Sequence, residues 1–455
     1  MAKLRRTHAA MKSYLCALSA FLQLPFAIQW RTFLVQLPRY VPLSILHLTS
    51  PEGPHPFVAA LPSRDDAYSI PIYVFMPPSP ASSPDDDDDD DADANYNAGP
   101  RKLPVHLDFH GGGFIMGSPL EQAPFCALLS RTLGAVVISV SYRLGPLHQF
   151  PAAIHDAEDV LAAVLDSEGA TLGGRALRAE LQRHYSMQQH AGRQQEQQDG
   201  AAARSSIELD PAHLSISGFS AGGNLALNLA LSVPTSDSPP PSPPASPSPS
   251  SSSSSSSSAT APDVSAPWPS LLPFPTAHPT LIPLLLFYPS LDARLPHHQR
   301  PLPPSMSQEP RVPGLFSILG PTYLPQRFRA HPRASPGLAN PLHALHRNVS
   351  IFLVLPERDS LAVQSQVWVG KMREAGWSGP VRKGDVDGKG DVGGETEGKG
   401  EGEGRRNGGL EVWHAPGCRH GWTQFPESWL GKHEKAERRK VFARTVDFVR
   451  EGWGD

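Results

Sequence analysis

Apolar positions along this chain follow two rhythms, and the rhythms take turns. Residues 70–75 alternate with period two, as a half-buried strand does, and Pro71 suits an edge strand. Runs at 103–109, 135–140, 214–217, 281–288, 350–355 and 410–413 read as further strands. Ala135-Val136-Val137-Ile138-Ser139-Val140 is β-branched and continuous, which suits a strand buried on both faces. Pro283 is awkward near the start of its run. Helical stretches lie between, at 152–165, 221–231, 361–375 and 434–450. Leu361, Trp368, Met372 and Ala375 share one helical face, the spacing of core packing. The alternation predicts an α/β chain with a mostly parallel central sheet and helices on both faces. Such sheets bind ligands at the carboxyl ends of their strands.

Low-complexity sequence interrupts the rhythm. Residues 79–101 carry the run Asp85 to Asp91, 235–269 are rich in Pro and Ser, and 381–409 in Gly, Glu, Lys and Asp. None can bury enough apolar surface to offset ordering entropy, so each is expected to be a disordered insertion. The Gln-rich stretch 183–199 is a weaker fourth candidate with helical character. These tracts account for much of the length of 455 residues and of the 50 prolines, so the chain need not hold several domains. The Asp run lacks the glycine turn and spaced ligands of a calcium loop. Net charge is −4, and the Asp run alone supplies more than that. The remainder is near neutral, which gives no electrostatic case for nucleic acid.

Cys16, Cys126 and Cys418 are too few and too scattered for a disulfide framework or a metal motif. That favours a reducing, cytoplasmic setting. The N-terminus keeps other settings open. Lys3, Arg5, Arg6 and Lys12 precede an apolar stretch at 14–28. It reads either as a cap helix or as an anchor that would bring membrane association, with an endoplasmic-reticulum or secreted location. It contains Gln23 and Pro25 and is shorter than the ~20 residues of a spanning helix. The sequon Asn348-Val349-Ser350 runs into an apolar strand and is expected to be buried.

Two glycine-bearing motifs carry chemistry. Gly218-Phe219-Ser220-Ala221-Gly222 is a G-x-S-x-G pentapeptide between a strand and a helix. Its glycines permit the sharp turn that presents Ser220 as a nucleophile. His110-Gly111-Gly112-Gly113 follows another strand. There, backbone N–H groups of Gly112 and Gly113, with that of Ala221, can meet a developing oxyanion. Together the motifs supply the two requirements of acyl transfer. No G-K-[ST] or G-x-G-x-x-G points to a phosphate loop.

Ser220 needs a base, and the base a carboxylate to orient it. Behind such an elbow the acid and the histidine follow in that order. Asp359 comes just after the 350–355 strand, with Glu357 in reserve; the competing role for Asp359 is a helix N-cap. His414, His420 and His433 follow the last strand. His414 continues that strand, whereas His420 lies in a loop between Gly417 and Gly421, so His420 is the expected base.

These motifs resemble the hormone-sensitive-lipase-like carboxylesterases, the fold-3 group of α/β hydrolases. Tyr142-Arg143-Leu144-Gly145-Pro146, Phe150-Pro151-Ala152-Ala153, Asp156, Leu209-Asp210-Pro211, Ser335-Pro336, Asp359-Ser360-Leu361 and His420-Gly421-Trp422 follow the group's pattern. The resemblance covers most of 73–450 outside the insertions. It implies an α/β-hydrolase fold with a helical cap, Ser220 as nucleophile, Asp359 as orienting acid and His420 as general base. It implies hydrolysis of small esters with short to medium acyl chains, without cofactor or metal. The chain would divide into an N-terminal cap or anchor segment, 1–60, and a catalytic domain, 61–455. A second cap piece is expected at 291–345. Departures are Phe219 where the group usually has Asp or Glu, Gly145 for alanine, and Ala362-Val363-Gln364 in place of an acidic pair. Two other readings stay open: an arylacetamide-deacetylase-like amide or acetyl hydrolase, and an inactive receptor-like binding protein. Receptor-like relatives have lost the catalytic histidine, whereas His420 is present. Acyl preference, alcohol and oligomeric state are not written in the sequence.

Overall fold

The computed structural model describes residues 18–65, 68–78, 100–193, 206–233, 268–273, 281–309, 311–384 and 409–454. The Asp run, most of the Pro/Ser tract and most of 381–409 lie outside the described residues. Nine strands form one sheet: β1 Phe57–Pro62, β2 Ser69–Phe75, β3 Arg101–Phe109, β4 Val136–Val140, β5 Ile207–Phe219, β6 Ile282–Phe287, β7 Val349–Arg358, β8 Val381–Lys383 and β9 Leu410–Arg419. Their order is β1-β2-β4-β3-β5-β6-β7-β9-β8. The pairs β1–β2 and β2–β4 are antiparallel, and every other pair is parallel.

Helices α1 Phe26–Gln36, α2 Ala123–Leu133, α3 Ala152–Leu165, α4 Leu172–Arg193, α5 Ala221–Leu229, α6 Leu315–Tyr323, α7 Ala362–Glu374 and α8 Lys432–Trp453 complete the main framework. The strands sort their side chains by parity. Leu284, Leu286, Ile351, Leu353 and Leu355 join the core that holds α3, α5 and α7. Leu285, Phe287, Phe352 and Val354 join the opposite core, under α2 and α8. Each apolar run thus feeds two cores, which is why the central strands lack polar alternation. Trp368 and Met372 of α7 are buried, as their stripe predicts. Asn348 of the sequon is buried.

Several boundaries differ from the sequence expectation. β1 was not foreseen, because Ala59 and Ala60 blur the alternation of Phe57–Pro62. It takes the sheet edge and places residues 57–60 in the sheet rather than in a cap segment. β2 is therefore an inner strand. Pro71 fits because it precedes the β4 ladder, which begins at Ile72, and its carbonyl accepts the Ser141 N–H. Pro283 likewise precedes the β5 pairing, which begins at Leu284. β8 occupies the first residues of the expected 381–409 insertion and forms the other edge. The Gln-rich stretch begins inside α4. Val233 and Trp268 pair as an isolated antiparallel bridge at the two ends of the Pro/Ser tract. Among the described residues, no helix is long and apolar enough to cross a membrane.

One polar chain sits inside the α2/α8 side of the sheet. His106, Asp108, Ser139, Ser215 and Ser217 are fully buried there. Ser217 Oγ donates to Asp108 Oδ1 at 2.7 Å, and Ser139 Oγ donates to Asp108 Oδ2 at 2.7 Å. The Ser217 proton is then committed, so the His106 Nε2–H must donate to Ser217 Oγ at 2.8 Å. His106 Nδ1 accepts from Ser215 Oγ at 2.7 Å. Burial holds the imidazole down to about 3 and pushes the Asp108 carboxyl up to about 6.

Candidate active site

β5 ends at Phe219 and α5 begins at Ala221, which leaves Ser220 alone to make the turn. Its φ of 53° is a left-handed value that L residues rarely adopt. The strain is held by bonds on both sides: Ser220 N–H donates to Phe287 O at 2.9 Å, and Ser220 O accepts Ser290 N–H at 3.0 Å. Gly218 and Gly222 close the turn. A Cβ on Gly222 would lie 1.9 Å from Phe109 O and 2.6 Å from His110 O, so α5 can start here only against a bare backbone. This contact joins the two glycine motifs.

His110 to Gly113 follow β3. His110 is buried flat against Tyr142, with ring centroids 4.3 Å apart, and its Nδ1 lies 2.7 Å from Gly111 O. Burial, with Arg39 nearby, holds that imidazole down to about 3. Gly112 has φ 115°, and its carbonyl accepts Ile115 N–H at 3.2 Å and Met116 N–H at 3.1 Å. The loop is thus folded on its carbonyl side. Among the described residues, the N–H groups of Gly112, Gly113 and Ala221 donate to no backbone carbonyl outside regular elements. Ala221 opens α5, where an N–H has no intrahelical acceptor.

His420 Nε2 lies 3.0 Å from Ser220 Oγ, and His420 Nδ1 lies 2.8 Å from Asp359 Oδ2. An ionised Asp359 can only accept, so Nδ1 carries the proton and Nε2 faces the serine hydroxyl as acceptor. Asp359 is buried after β7, and its Oδ1 accepts Leu361 N–H at 2.7 Å just before α7. Asp359 is not the helix N-cap, a position held by Leu361; its Oδ1 instead fastens the turn before α7 while its Oδ2 faces His420. Glu357 does not reach this cluster; it is exposed, and its Oε2 accepts Gly417 N–H at 2.6 Å. His414 pairs with Leu355 along β9, and its imidazole is held low by burial. The His433 Nε2–H donates to Pro416 O at 2.7 Å.

Other residues build the site without a sequence signal. The Tyr288 ring meets His420 edge-on, with centroids 4.8 Å apart, and its hydroxyl lies 2.5 Å from Thr423 Oγ1. Arg39, from the N-terminal segment, donates to Gly117 O, Ser141 Oγ and Tyr142 O at 3.2, 3.1 and 2.7 Å. α6 supplies an apolar wall. Its Phe316 lies against Gly113, and its Tyr323 stacks on Phe114 at 4.5 Å. His297 packs on Phe316 and reaches Ser360 Oγ at 3.3 Å. Phe219, at the position where the resembling group usually has Asp or Glu, is buried against Phe287 at 4.3 Å. Its neighbours are apolar, so an acid there would be unpaired. Among the described residues, no group of three or more His, Cys, Asp or Glu side chains is placed to hold a metal.

Residues 106–384 match a family model described as alpha/beta hydrolase fold. Carboxylesterase 20 of Arabidopsis thaliana is 32% identical over 134 residues, 29% of this chain and 31% of that protein. Esterase LipI of Mycobacterium tuberculosis is 50% identical over 54 residues, 12% of this chain and 17% of that protein. The matched stretches thus span less than a third of the length of these relatives. Among solved structures, a Pyrobaculum calidifontis esterase superposes with a TM-score of 0.48 at 18% identity, covering 90% of this chain and 89% of that one.

Proposed function

The chain belongs to the alpha/beta hydrolase family, and on that footing we propose that it is a serine carboxylesterase working through an acyl-enzyme on Ser220. The observation that carries this is the continuous line from Ser220 Oγ to His420 Nε2 at 3.0 Å and from His420 Nδ1 to Asp359 Oδ2 at 2.8 Å. Ser220 Oγ attacks the ester carbonyl as His420 Nε2 takes its proton. The carbonyl oxygen gains the negative charge, and the N–H groups of Gly112, Gly113 and Ala221 receive it. His420 returns the proton to the leaving alcohol, and the tetrahedral intermediate collapses to the acyl-enzyme. Water, deprotonated by His420, then attacks the acyl carbon. The acid departs and Ser220 regains its hydrogen.

Asp359 holds the imidazole in the required tautomer and stabilises its charged form. Phe316 beside Gly113 and the Phe114–Tyr323 stack make the surroundings of the glycine loop apolar, which supports an ester with a hydrocarbon acyl group as substrate; short to medium chains are the proposed range. The test is hydrolysis of p-nitrophenyl acetate, butyrate, octanoate and palmitate by the parent and by Ser220→Ala. Turnover lost in the variant supports the proposal, and the chain-length profile reports pocket depth. No turnover from folded parent protein overturns it in favour of amide cleavage or simple ligand binding.

A further inference from the structure

Helix α1 is apolar on two opposite sides. Val35 and Thr32 are buried toward the body, with Ile28 packed behind them. On the other side Phe26, Trp30, Phe33, Leu34 and Leu37 are 77, 43, 66, 55 and 42% exposed. At 100° per residue these five fall within an arc of roughly 100°, the width of a face that normally meets a core. Leu22 and Tyr40, just before and after the helix, are 62% and 77% exposed. An exposed apolar face on this scale marks an interaction site.

Charge selects the partner. Residues 1–51 contain six Lys and Arg and no Asp or Glu, in a chain whose net charge is −4. Arg39 is turned inward to the Gly117 loop, whereas Arg31 lies over the Trp30 ring at 4.5 Å, beside the apolar arc. Lys3, Arg5, Arg6 and Lys12 precede the helix in sequence. An apolar arc with aromatic residues, in a sequence whose first 51 residues carry only basic charge, matches an interface of hydrocarbon under anionic headgroups. With 11 residues, α1 is about 17 Å long and too short to span a bilayer, so it would lie in the surface plane.

We propose that the outer face of α1 docks this protein on anionic phospholipid surfaces as a peripheral, non-spanning contact. The placement has a consequence for the pocket. α1 packs on α6, the helix whose Phe316 covers Gly113. Docking would therefore seat the pocket wall next to the lipid.

The test is cosedimentation of the full chain with phosphatidylcholine vesicles, with and without phosphatidylserine, for the parent and for Phe26→Glu/Phe33→Glu. Both side chains are exposed, and unchanged hydrolysis of a soluble short-chain ester and an unchanged melting temperature would report an intact fold. The expected result is binding that needs phosphatidylserine, weakens with salt and falls at least about tenfold in the double variant. Parent protein that stays in the supernatant with phosphatidylserine vesicles overturns the proposal, as does binding that ignores the double substitution. A parent dimer that becomes monomeric in the double variant also overturns it, because a second copy would then cover the face. Sedimentation is read without catalysis, so loss of the esterase proposal would leave this result standing.

Discussion

Replacing Gly222 by alanine should separate the chemistry of the site from the stability of ordinary glycines. The new methyl would sit 1.9 Å from Phe109 O, 2.5 Å from Phe109 C and 2.6 Å from His110 O. All three atoms are backbone, so no side chain can swing aside. Ordinary contact begins near 3.4 Å, which requires β3 and the start of α5 to part by about 1.5 Å. The gap would open between the loop bearing Gly112 and Gly113 and the turn bearing Ser220. A misplacement of that size costs about 100-fold in rate, and the overpacking costs about 1–3 kcal/mol. Gly370→Ala is the control. It lies in α7 with nothing within 4 Å of a new methyl, so it should stabilise by about 0.5–1 kcal/mol and leave kcat/KM unchanged. The assay is p-nitrophenyl butyrate hydrolysis with thermal melting on all three proteins. A Gly222→Ala enzyme within about threefold of the parent in kcat/KM, with no loss of melting temperature, would refute the reasoning.

Two further perturbations test other parts of the argument. Asp359→Asn should lower kcat by about 10⁴, since it favours the wrong imidazole tautomer, whereas Glu357→Gln should stay within a few-fold; the reverse ranking in steady-state kinetics would move the acid to Glu357. The buried polar chain should couple stability to pH in two opposing senses. Unfolded His106 takes a proton near its ordinary 6.5, but the folded imidazole resists until about 3, so acidification favours unfolding by about 2 kcal/mol at pH 5. Asp108, raised from 3.8 to about 6, does the opposite: its folded form takes the proton first, and the stability it adds at low pH is lost as pH rises through 6. Urea titrations of Asp108→Asn should therefore show about 1.4 kcal/mol more acid destabilisation than the parent between pH 8 and pH 5, and parallel pH profiles would contradict the assignment.

The central strands and the glycine turns that frame the candidate site were legible because each rests on local pattern. Apolar runs give β4, β6 and β7, and glycine spacing gives the elbow and the loop before Phe114. His420 and Asp359 could be chosen by chain order, without any view of their contact. What the sequence hid depends on partners distant in the chain. β1 is two alanines short of a clear alternation, and only its pairing with β2 makes it a strand. Tyr288, Arg39 and His297 belong to no motif, and the folded arrangement alone carries them to the site. His106 and Asp108 looked like alternating members of an ordinary strand. Their meaning depends on Ser215 and Ser217, more than a hundred residues onward and one strand across.

The small bridge between Val233 and Trp268 bears on how such a chain can change over time. Reciprocal bonds of 2.8 Å fasten the two ends of the Pro/Ser tract together. The bridge is anchored to the body: Trp268 Nε1 donates to Glu158 Oε1 of α3, and Arg333 lies over the Trp268 ring at 4.6 Å. The bridge thus holds together the two described residues that border the tract. Once a loop is long, each doubling of its length costs only about 0.6 kcal/mol more. Added serines or prolines between residues 233 and 268 would therefore carry little loop-closure cost. The bridge separates a segment whose length can drift from a body whose geometry cannot.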